Sequence, residues 1–245
     1  MGNINDKCLD IEKYKSIFNV IKEDKECRDH SYEHCRRFFK DNREACINEK
    51  EGNYIKCDLM ALHLFAYLAS FGMLHNSWIL QKDYKFFIPF VKIICDDKYK
   101  DLLDYEPSDN DYQNKIELIL DLKKELNKRF AEEVFYKDYK DEKNTGKKMS
   151  DTLFSKIILG TFGCIPAYDI CVVEGLSSMG ITTTCNKVSL QGIFDLVINN
   201  KETIDKLKDE IKNNKVLYTS MRIVDLCLWK KGDDILKAQK TNNRS

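Results

Sequence analysis

Proline occurs three times in 245 residues (Pro89, Pro107, Pro166), and strict alternation of apolar and polar side chains is scarce. Both shortages argue against a sheet protein and for a helical one. No apolar run approaches the roughly 18 residues that a membrane span needs, so no membrane partner is expected. Net charge is missing too, because 40 Lys plus Arg balance 40 Asp plus Glu. That excludes a nucleic-acid binder working by global charge and leaves a local basic patch open. Arginine, the better bidentate reader of phosphates and bases, supplies only seven of the 40 cations. No Cys-x-x-Cys pair occurs among the ten cysteines, so neither a zinc ribbon nor a thioredoxin-like site is indicated. Residues 1–6 lack the apolar core of a secretory signal. A cytoplasmic, reducing compartment with free thiols is therefore expected.

What is present is helical period. Ile11, Tyr14, Ile17, Phe18 and Ile21 form one stripe over residues 11–25. A second helix is expected over 32–42. Residues 59–71 are apolar nearly all round, which predicts a helix at the centre of the fold. Asp58 is its expected N-cap. Pro89 marks a break or a first turn within 84–95, and 98–111 reads as a polar loop. The longest helix is expected over 112–136, on Ile116, Ile119, Leu120, Leu126, Phe130 and Val134. Residues 137–150 are charged and poor in apolar side chains, as in a linker. Further helices are expected over 151–159, from Pro166 to about 176, and over 190–199, 201–213 and 221–231. The expected fold is all-α, a two-lobed helical bundle. Its N-terminal lobe spans 1–136, its C-terminal lobe 151–239, and 240–245 is a disordered tail.

Chemistry has few places to sit. The segment from Asp151 to Asp169 carries two glycines, a proline and an acid around an apolar turn. Asp169 falls where a helix dipole and free N–H groups favour a carboxylate. Here Ser155-Lys156, an apolar stretch, and Ile165-Pro166-Ala167-Tyr168-Asp169 resemble DNA glycosylases of the helix-hairpin-helix class. The resemblance covers about twenty residues. It implies a helix-hairpin-helix glycosylase-like fold, DNA as partner, and Asp169 as the catalytic acid that stabilises a developing oxocarbenium charge. The hairpin that grips a DNA phosphate in that class is replaced by Thr145-Gly146-Lys147-Lys148. A broader likeness runs through Ser31–Phe39, Leu62–Met73, Leu80–Tyr84 and Lys156–Asp169. It is to a group of uncharacterised bacterial all-helical proteins, and it implies no activity.

Other polar residues complete the candidate site. Lys156 stands beside Asp169 as a second catalytic candidate. His75, Asn76, Gln81 and Tyr168 are candidates for substrate binding, because polar groups that follow a buried helix must be hydrogen-bonded or face a pocket. Cys27, His30 and His34 bring metal-ligand types together, yet a tetrahedral zinc would need another ligand pair at comparable spacing. Nothing in the sequence calls for a cofactor or a metal. Two functional readings stand nearly level. One is a base-excising or DNA-binding protein with its cleft at Asp169. The other is a non-catalytic interaction module, dimeric through the long 112–136 helix.

Overall fold

The computed structural model describes residues 9–48, 55–75, 79, 82–108, 112–137, 148–211 and 218–242. Among these it contains α-helices, short 3-10 turns and no strand, so the chain is all-α. The first stripe divides into α1 (Ile11–Tyr14) and α2 (Ser16–Glu23), with Lys15 between them. Asp10 caps α1 by accepting the Lys13 N–H at 3.1 Å. Helix α3 (Asp29–Ile47) is longer than its apolar stripe predicts, and α4 (Ile55–Ser70) begins three residues before Asp58. Asp58 therefore lies in the first turn of α4 and is not its cap. Pro89 sits in the first turn of α5 (Ile88–Cys95), where a missing N–H costs nothing. The expected polar loop after it instead begins with a 3-10 turn, and it buries Tyr99 and Leu102.

Helix α6 (Tyr112–Lys137) buries Ile116, Ile119, Leu126 and Phe130 within this one chain. The side chain of Val134 and most of the expected linker, 138–147, lie outside the described residues, as does 243–245 of the tail. The C-terminal part builds α7 (Asp151–Thr161), α8 (Ile170–Ser178), α9 (Lys187–Asn199), α10 (Lys201–Ile211) and α11 (Ser220–Asn242). Pro166 does not open α8. It lies in the irregular connector between α7 and α8. The helical part of the expected tail, through Asn242, continues α11.

The centre of the fold is not α4, as its composition predicts. Ile55, Leu59 and Leu62 fall on one face of α4 and are exposed. The enclosed helix is α7, where every side chain from Leu153 to Thr161 is buried. The first nine residues of α11, Ser220 to Leu228, are buried as well. Gly160 lets α7 sit there, since a Cβ at that position would overlap the ring of Tyr67 from α4. The buried side chains form one cluster running from Leu9 to Leu228. The boundary expected between two lobes is crossed by many bonds. Arg36 donates to the Phe162 carbonyl at 2.7 Å, Tyr218 to Glu33 at 2.8 Å, and Lys123 to the Cys185 carbonyl at 2.6 Å.

Two cysteines expected as free thiols are joined. A Cys46–Cys57 disulfide ties the end of α3 to the start of α4. It was not legible because each cysteine stands alone in sequence, and only the helix termini bring them together. Closing a loop with a sequence separation of 11 restricts the unfolded chain by about 2–3 kcal/mol. Reduction, or Cys46→Ala with Cys57→Ala, should lower the thermal midpoint by roughly 5–10 °C. Calorimetry in the presence and absence of a reducing agent tests this, and an unmoved midpoint would contradict it.

Candidate functional site

Asp169 ends the irregular connector and is the N-cap of α8. Its Oδ1 accepts the Val172 N–H at 3.0 Å, and its Oδ2 meets Lys156 Nζ at 2.8 Å. The Lys156 side chain is 7% exposed and that of Asp169 is 22%. The two residues singled out as catalytic candidates are thus in direct contact. The structure gives each carboxylate oxygen a partner within the protein. Lys156 also lies 4.9 Å from the centre of the Phe71 ring, while Arg28 stands over both Phe71 and Trp229. Burial pushes the neighbouring Cys171 thiol up, Asp169 and Asp233 raise it further, and Lys156 and Lys237 pull it back, so the charges here are mixed.

Behind Asp169 lies a buried charge network that the sequence reading missed. Arg222 of α11 pairs with Asp225 on its own helix and with Asp29 of α3. Its guanidinium stacks 4.5 Å from the centre of the Tyr32 ring. Burial opposes the Arg222 charge, but the two carboxylates outweigh it and hold the group protonated. Burial raises the Asp225 carboxyl above its ordinary value, and Arg222 and Lys156 pull it back. Asp225 Oδ1 also takes the Ala167 N–H at 2.8 Å. The network therefore anchors the connector that carries Asp169.

The other expected site residues scatter. Tyr168, expected at a substrate surface, is buried. Its N–H bonds Ser155 Oγ at 2.7 Å and its hydroxyl meets Ser189 Oγ at 2.8 Å. A phenol so satisfied faces the core because its ring fills volume there. His75 is exposed in the turn after α4. Asn76 and Gln81 lie outside the described residues. The Cys27, His30 and His34 cluster diverges. Cys27 Sγ turns to Asp29 and His30 to Glu33, whereas His34 Nε2 meets His63 Nδ1 at 3.0 Å.

A cavity of about 400 Å³ opens elsewhere, where α2, α3 and α10 meet. Phe18, Ile21, Leu207 and Ile211 give it apolar walls. Lys15, Lys22 and Arg37 bring positive charge, and Glu33 and Glu210 negative. Tyr218, at the entry to α11, closes one side and packs edge-on against Phe18 at 5.8 Å. The volume falls within the ~300–1,000 Å³ typical of small-molecule sites. Among the described residues, none of the expected catalytic or substrate-binding residues lines it, while His30 of the metal-ligand cluster does. Its walls come from residues 15–37 and 207–218, far apart in the chain, so local pattern held no signal of it beyond the α2 stripe. Comparison of the chain with protein families, with curated proteins and with solved structures finds no match.

Proposed function

We propose that this chain is a non-catalytic binding protein that takes a small molecule in the cavity between α2, α3 and α10. The carrying observation is the cavity itself, whose volume suits a small molecule and whose four apolar side chains and Tyr218 are ringed by seven polar ones. The DNA-glycosylase reading needs a carboxylate free to face a substrate. Asp169 already engages Val172 and Lys156, and the groups around it carry both signs. The dimer reading needs an open stripe on α6, and four positions of that stripe, Ile116, Ile119, Leu126 and Phe130, are buried within the chain. The cavity has neither drawback.

Asn19 lines the cavity from an exposed position on α2, so bulk can be added there without disturbing the core. Nile red, a neutral dye that brightens in apolar surroundings, is expected to bind the native chain saturably at one site. Asn19→Trp should weaken that binding at least roughly tenfold, or about 1.4 kcal/mol, with an unchanged unfolding midpoint. Equal binding by both proteins, or none by the native chain, rejects the proposal.

A further inference from the structure

We infer that the cavity selects a single-chain amphiphile with an anionic head, an inference that rests on the binding role given above. The argument is one of unmatched charge. Both acids of the cavity are already engaged. Glu33 receives the Tyr218 hydroxyl at 2.8 Å on one oxygen and faces His30 Nδ1 at 3.3 Å on the other. Glu210 is paired with Lys15. Lys22 and Arg37 line the same cavity, and neither has an ion-pair or hydrogen-bond partner among the described residues. With His30 neutral, three cations face two carboxylates, and the unmatched charge is positive. Both free cations are exposed residues, on α2 and α3. That places the head group at the rim, where it retains water, and the tail against the apolar walls.

The size of the cavity sets the length of the tail. At ~30 Å³ for each small group, the volume share of a water molecule, the site holds on the order of a dozen non-hydrogen atoms. A ten-carbon carboxylate has that size. A guanidinium and an ammonium that converge on a carboxylate form charge-assisted hydrogen bonds, the stronger kind. A cationic head of the same length would meet repulsion instead. Ionic strength then weakens the anion alone, because the rim is in solvent.

The test is displacement of Nile red from the full chain by decanoate and by decylammonium at neutral pH. Decanoate should displace the dye at a concentration roughly tenfold or more below that of decylammonium. The double variant Lys22→Gln, Arg37→Gln should lose most of this preference, read as the ratio of the two displacement concentrations on that same variant. Both positions are exposed, so folding is not at stake. Equal displacement by the two amphiphiles, or a double variant that retains the preference, overturns the charge inference and leaves the cavity reading standing. Failure of the dye to bind at all rejects the cavity reading first.

Discussion

An Arg222→Met variant is expected to unfold at a much lower urea concentration than the native chain, with a loss of about 3–5 kcal/mol. Methionine fills much of the volume, so the loss is not one of packing. Arg222 is 2% exposed and holds Asp225 and Asp29 together. Without it, the Asp225 carboxylate stays buried with its nearest compensating charge gone. Burial alone already raises that carboxyl, and Asp169 raises it further. The Ala167 N–H donates to the same carboxylate, so the connector before α8 is strained at the same time. Domains of this kind are stable by only ~5–15 kcal/mol in total, so the loss is a large share. Adding Asp225→Asn should restore part of it. Asparagine keeps an acceptor for Ala167 and removes the unpaired charge. Asp29 is nearer the surface, its side chain 14% exposed, and can be solvated. Urea midpoints for the single and double variants measure this. A single variant as stable as the native chain, or a double variant less stable than the single, refutes the account.

This network marks the limit of what was legible in the sequence. Helical class, the long α6 and the acid at the start of α8 could all be read from period and capping chemistry. The choice of central helix could not. Residues 59–71 and 152–165 are both nearly uncharged, and period alone does not say which apolar face finds a partner. Leu59 and Leu62 are left bare, while Ser155 and Thr161 are covered. For Asp169 the local geometry is common to a cap and a catalytic acid, and period and capping chemistry do not say that Lys156 Nζ meets its second oxygen. The Arg222–Asp225 pair did carry a signal. Met221, Ile223, Val224, Leu226, Cys227, Leu228 and Trp229 are spread so widely round the helix that no broad polar face remains for residues 222 and 225. The cavity carried almost none, because the apolar stripe of α2 meets Leu207 and Tyr218 only after the whole chain has folded.

Two glycines, one in α8 and one in α11, support the second large prediction. Gly175 and Gly232 lie inside their helices, where glycine costs about 1 kcal/mol relative to alanine. Helical propensity alone would therefore predict that Gly232→Ala stabilises the protein. Packing predicts the reverse. A Cβ on Gly232 would fall on the Cys171 carbonyl oxygen and 2.7 Å from its carbon. A Cβ on Gly175 would likewise meet the Leu228 carbonyl. These are backbone atoms, which no side-chain rotation can move aside, so the two helices must separate. Overpacking of this kind costs roughly 1–3 kcal/mol, and more where the obstacle is backbone. We expect a net loss of about 3 kcal/mol or more for Gly232→Ala. Gly192 of α9 is the control, since its Cβ would meet only the Ile181 side chain, at 3.2 Å. A methyl group can yield by a few tenths of an ångström, so Gly192→Ala should change stability by less than about 1 kcal/mol. The two variants separate packing from propensity, and equal stability in both would show that α8 and α11 do not lie this close. The contact also bears on Asp169 and Asp225, which stand on α8 and α11 respectively. If the helices part, the Arg222 network should loosen with them. The Gly232→Ala and Arg222→Met losses should then add to less than their sum.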